Sequence, residues 1–104
     1  MIYTLVTTVL VPGKMGEYYE LSNKTALPLF AKLGMKITGS FHSYTGNMNE
    51  IYTLNEYADL AAFQRAMEAQ KTSNEWQTFN AKANSLRVSQ TMVILEPNPW
   101  SPMK

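Results

Sequence analysis

The sequence predicts a single α+β domain of β-α-β-β-α-β order, with its four strands in one antiparallel sheet. Three observations predict it. Apolar spacing alternates between the period of two expected of strands and the spacing of three and four expected of helices. Turn-forming residues stand at most of the changes of period. The 104 residues are enough for one core of ordinary size and too few for two.

Ile2 to Val11 reads as the first strand. It is rich in β-branched and aromatic residues, and both alternating sets are partly apolar, so it is expected to be covered on two sides. Pro12-Gly13-Lys14 ends it. From Lys14 to Leu33 the residues Met15, Tyr18, Tyr19, Ala26, Leu29, Phe30 and Leu33 recur at helical spacing, and Gly34 is placed to stop the helix. Pro28 lies inside that pattern, which predicts a kink or break near Lys24 to Leu27.

Lys36 to Thr45 and Glu50 to Tyr57 read as two strands of a hairpin around Gly46-Asn47-Met48-Asn49, residues that tolerate positive φ. Asp59 is placed to cap a helix carrying Leu60, Phe63, Ala66 and Met67 and running to about Lys71. Thr72-Ser73-Asn74-Glu75 matches a capping box, so a second helix should follow, with Trp76, Phe79 and Ala83 as core anchors. Leu86 to Glu96 is the last strand. The tail holds Pro97, Pro99 and Pro102 around Trp100, which is expected to dock on the domain.

Two crossover helices can cover only one face of such a sheet. The chain is 45% hydrophobic and only 16% charged, against roughly 25% charged in an average soluble domain. Both points predict a homodimer in which two sheets pack face to face and enclose a cavity. The formal charge is +1 with no basic run, which argues against nucleic acid as a partner. There is no cysteine, which excludes disulfides and a thiolate nucleophile. Neither a signal-like N-terminus nor a long apolar run is present, so the expectation is a cytoplasmic protein without a membrane partner.

Several stretches taken together resemble the NIPSNAP family. They are Met1-Ile2-Tyr3 with Pro12-Gly13-Lys14, Leu27-Pro28-Leu29, and Gly39 followed by Gly46-Asn47-Met48-Asn49. Further along come Leu54 to Asp59, Glu75-Trp76-Gln77-Thr78-Phe79, Ser89-Gln90 and Pro99-Trp100-Ser101-Pro102. The resemblance covers almost the whole chain. It implies a ferredoxin-like fold that pairs into a dimeric α+β barrel. Members commonly carry Glu and Arg on the first strand where this chain has Thr4 and Val6, and Trp where it has Asn55. The wider superfamily includes cofactor-independent monooxygenases, lactone isomerases and haem-degrading enzymes, so fold alone selects no reaction.

If alternation holds, the face opposite the helices carries Thr4, Val6, Thr8, Thr38, Ser40, His42, Tyr44, Thr53, Asn55, Gln90 and Met92. Apolar surroundings with a few converging polar groups suit a small organic ligand, although the same mixture also suits a wet dimer interface. His42 is the one histidine and therefore the candidate general base, with Tyr44 as a hydrogen-bond donor beside it. A lone strand histidine is more commonly a hydrogen-bonded surface residue. No metal-ligand spacing is present, and neither a metal nor a cofactor is expected. Three functions are open on this reading: a binding dimer, an enzyme of the monooxygenase or isomerase kind using His42, and a non-catalytic interaction module with an exposed patch around Trp100.

Overall fold

The computed structural model describes residues 1–103, in the order β1 (Ile2–Leu10), α1 (Met15–Leu21), a π-helical segment (Ser22–Ala26), α2 (Leu27–Lys32), β2 (Lys36–His42), β3 (Glu50–Tyr57), α3 (Leu60–Thr72), α4 (Asn74–Asn84) and β4 (Arg87–Leu95). This is the β-α-β-β-α-β order, with the first crossover one continuous helical run of α1, the π segment and α2, and the second crossover two helices. The four strands form one antiparallel sheet in the order β2-β3-β1-β4.

Pro28 explains the π segment in the first crossover. It stands at the start of α2, where its missing N–H is tolerated, and the wider π turn over Ser22–Ala26 accommodates the bond it cannot make. Gly34, at φ 78°, then stops the helix. In the second crossover the Asp59 carboxylate accepts from the Ala62 N–H at 2.8 Å, as predicted. The next cap differs by one residue from the capping-box reading. Ser73, not Thr72, accepts from the Trp76 N–H at 3.1 Å, while the Thr72 hydroxyl donates back to the Glu68 and Ala69 carbonyls of α3. Thr72 is still inside the preceding helix, so its side chain serves that helix first.

Register decides which side chains meet the helices. Thr4, Val6 and Thr8 of β1 pair with Asn55, Thr53 and Ile51 of β3 and with Ile94, Met92 and Gln90 of β4. Paired residues of an antiparallel ladder share a face, and this face lies under the helices. Two core clusters join it to them. Ala26, Phe79 and Ala83 pack with Tyr18, Leu21, Phe30 and Trp76. Met35, Tyr57 and Ala66 pack with Ile2, Phe63 and Met67 among others.

The other face carries Leu5, Val9, Phe41, Tyr52, Leu54, Val93 and Leu95, by the same register. No helix covers it, and Phe41, Val93 and Leu95 are exposed. β4 is exposed along nearly its whole length on both faces. Trp100 does not dock on its own chain. It is 80% exposed, and the tail is held locally by a Ser101 N–H donating to the Asn98 carbonyl. Among the described residues no helix is long and apolar enough to cross a membrane.

Candidate functional site

Between the sheet and its own helices lies a cavity of about 570 Å³. A space of that size fits the usual range for organic-ligand sites. Its floor comes from the helix-facing sides of all four strands, and its roof from Tyr18, Tyr19, Phe30, Met67, Trp76 and Phe79. The π segment forms part of the wall through Ser22, Asn23 and Ala26, so the irregular turn that accommodates Pro28 also shapes the site.

This position corrects the sequence reading. Eight of the residues assigned to a cavity between paired sheets, namely Thr4, Val6, Thr8, Ser40, Thr53, Asn55, Gln90 and Met92, do line one cavity together. That cavity, however, lies on the helix side of a single chain. The hydroxyls and amides on this face suggested the side without helices. In fact the more apolar set, with Leu5, Leu54 and Phe41, is the one left open. Helix-facing strand positions are polar here because the helices stand off from the sheet and leave space.

The remaining three candidates are elsewhere. Thr38 occupies a bulge in β2, where Ile37 pairs with Asn55 and Gly39 with Leu54, and its hydroxyl donates to the Leu54 carbonyl at 3.0 Å. Tyr44 lies beyond the end of β2 and is 91% exposed. His42 ends the strand on the helix-facing side but outside the cavity lining; its ring is exposed and meets the edge of Tyr19, with centroids 6.5 Å apart. The general base and its tyrosine helper are therefore not brought to the cavity. The strand ends at His42, so the alternation that carried Tyr44 onto the face had nothing to act on.

Polar groups in the floor are arranged in short links. Gln90 donates from Nε2 to the Thr8 hydroxyl at 3.0 Å, which ties β4 to β1 across the cavity floor. Ser40 and Thr53 hydroxyls stand 3.4 Å apart. Asn55 is only 3% exposed; its Nδ2 donates weakly to the Thr4 hydroxyl at 3.5 Å, and its Oδ1 has no partner at all. A buried acceptor left open costs about 1–3 kcal/mol, which a ligand donor would offset.

Tyr57 closes the same end of the floor, packed edge-on against Phe63 with centroids 5.4 Å apart. Burial raises its phenol pKa, while a hydrogen bond with Thr4 acts in the opposite direction and is the smaller effect. The folded pKa is the higher one. Stability from the neutral phenol is therefore whole below the unfolded value of about 10 and is lost as pH rises through the folded value. Urea unfolding at stepped pH should show wild-type stability falling from about pH 10 upward more steeply than that of Tyr57→Phe. Parallel curves would contradict it.

Several lining residues were not assigned to the site from the sequence, and Arg87 is the charged one. Strict alternation along the last strand would set Arg87 with Ser89 and Thr91 on the face opposite Gln90 and Met92. Between Val9 and Leu10 the register with β4 shifts, so Ser89 pairs with Val9 while Arg87 pairs with Leu10. The extra residue, Val88, turns Arg87 onto the helix side, where it lines the cavity. The available signal was on the preceding helix. Asn80 and Asn84, one helical turn apart, present two amide oxygens that both accept from Arg87 Nη1, at 3.0 and 3.1 Å.

A family model described as NIPSNAP matches residues 3–102. A search of curated proteins found no significant match. Among solved structures, a NIPSNAP family protein from Agrobacterium tumefaciens superposes with a TM-score of 0.92 at 23% identity, covering 99% of this chain and 98% of that one. An uncharacterised NIPSNAP domain protein from Burkholderia xenovorans gives 0.90 at 20% identity, with 98% and 99% covered. A putative antibiotic biosynthesis monooxygenase from Nitrosomonas europaea gives 0.71 at 12% identity, with 93% and 98% covered. At these identities the structural likeness speaks for the fold alone.

Proposed function

The chain belongs to the NIPSNAP family, and from the cavity it encloses we propose that it is a homodimeric binding protein for a small, largely apolar organic molecule, held in each chain between the sheet and its own helices. The observation that carries this reading is the cavity of about 570 Å³ walled by Phe30, Trp76, Phe79, Met67 and Met92, with the unpartnered Oδ1 of Asn55 in its floor. Aromatic and methionine walls supply apolar area and adaptability, and a few polar groups orient what enters.

The uncovered face of the sheet supports the dimer. Leu5, Leu54, Tyr52, Val93 and Phe41 adjoin one another there, and a long edge strand exposed on both faces is a pairing hazard unless something covers it. A second copy of the chain offers the same face in reverse and covers both at once. Catalysis by His42 gains nothing from this geometry, because that ring lies outside the cavity lining.

Equilibrium dialysis against N-phenyl-1-naphthylamine, a neutral aromatic probe, tests the cavity reading. Val6 stands half-buried in the middle of the floor, paired with Thr53 and Met92. The wild type should take up about one probe per chain, and Val6→Trp, which fills the space, should bind at least about tenfold more weakly while keeping native circular dichroism. Uptake unaffected by the filled cavity, or none by the wild type, would overturn the reading.

A further inference from the structure

We propose that the molecule held in this cavity is a carboxylate with an apolar body, and that Arg87 binds its charged end; this rests on the cavity being a binding site.

Arg87 is the one charged side chain among the described residues lining the cavity. It is also unneutralised. The ion pairs among the described residues are Lys14–Glu17, Lys24–Glu20, Lys32–Glu75 and Lys36–Glu56, and none involves Arg87. A partly buried guanidinium facing apolar walls with no acid beside it leaves a site complementary to an anion.

Its orientation is fixed by neutral groups. Nη1 donates to both Asn80 and Asn84 of α4, and the guanidinium carbon lies 5.9 Å from the centre of the Tyr18 ring. Two amides and an aromatic ring hold the plane without cancelling its charge. Those contacts occupy one side of the fork and leave the edge formed by Nε and Nη2. Nε is buried with no hydrogen-bond partner, and Nη2 donates to no described residue. That edge carries two parallel N–H groups, the geometry that matches the two oxygens of a carboxylate.

The bulge at Val88 strengthens the assignment, because without it Arg87 would point away from the cavity. It also gives the ligand a direction. Arg87 pairs with Leu10 and Asn55 with Thr4, six residues apart along β1, so the two positions are separated by about 20 Å of strand. The charged end therefore belongs at the Leu10 end of the sheet. The apolar body extends over Thr8 and Val6 toward Asn55.

Calorimetric titration of the wild-type protein with 1-naphthaleneacetate and with the neutral, nearly isosteric 1-naphthaleneacetamide tests this. The acid should bind at least about tenfold more tightly than the amide. In Arg87→Gln the preference should shrink to within about twofold, and Arg87→Lys, which keeps the charge but not the fork, should fall between. Equal binding of acid and amide by the wild type, or a preference that survives Arg87→Gln, would overturn the carboxylate assignment and leave the cavity reading in place. Failure of the wild type to bind either compound would overturn both. The wild-type comparison decides the matter even if a substituted protein does not fold.

Discussion

Phe79→Ala is expected to cost about 3–5 kcal/mol of folding stability. Phe79 is 3% exposed and sits where α4 meets the first helical crossover, against Ala26, Ala83 and the Trp76 ring, whose centre is 5.4 Å away. The cost should lie toward the upper end because the side chain also roofs the cavity, so the vacated space joins an existing void and has little tendency to collapse. Small domains hold only about 5–15 kcal/mol in total. Urea denaturation should therefore show the midpoint falling by a large fraction, or the variant unfolded at 37 °C. A loss below about 1 kcal/mol would mean that Phe79 is not a core residue.

The second large effect concerns the uncovered face. Leu54 lies directly opposite Leu5 at the centre of the sheet, with Tyr52 two residues away on the same strand face. Leu54→Asp should place two carboxylates, one from each chain, in the middle of the paired sheets, at a cost of several kcal/mol. Sedimentation velocity at micromolar concentration should show the wild type at twice the 11.8 kDa of one chain and the variant at 11.8 kDa. A wild-type monomer, or a variant that still sediments as a dimer, would contradict the proposed assembly. Circular dichroism of the variant distinguishes dissociation from unfolding.

Local patterning made the element order legible, because period, breakers and caps are properties of neighbouring residues. Asp59, Gly34, the Gly46 turn and the irregular helical turn ahead of Pro28 all act within a turn or two of themselves. The grouping of Thr4, Val6, Thr8, Thr53 and Asn55 on one face was legible for the same reason, since strict alternation holds along β1 and β3. Which face that was did not follow from it. Polarity suggested the side without helices, and only the stand-off between helices and sheet explains polar strand positions beneath a helical layer.

Two bulges account for other differences. The one at Thr38 takes that residue out of the alternating set, and the one at Val88 brings Arg87 in. A bulge changes the parity of every residue beyond it, and no residue type at Thr38 or Val88 signals its presence. Trp100 differs for another reason. Its prolines restrict the tail, but what the tail meets is a tertiary matter that composition does not decide.

Fluorescence from one tryptophan tests the central claim most directly. Trp76 lines the cavity, while Trp100 is exposed in the tail, so Trp100→Phe leaves Trp76 as the single reporter. Titrating that protein with N-phenyl-1-naphthylamine, whose absorption overlaps tryptophan emission, should quench Trp76 by energy transfer, saturate near one probe per chain, and be reversed by competing 1-naphthaleneacetate. Trp76 emission that does not change while the probe binds, or quenching that never saturates, would place the ligand outside the space between sheet and helices and contradict the account.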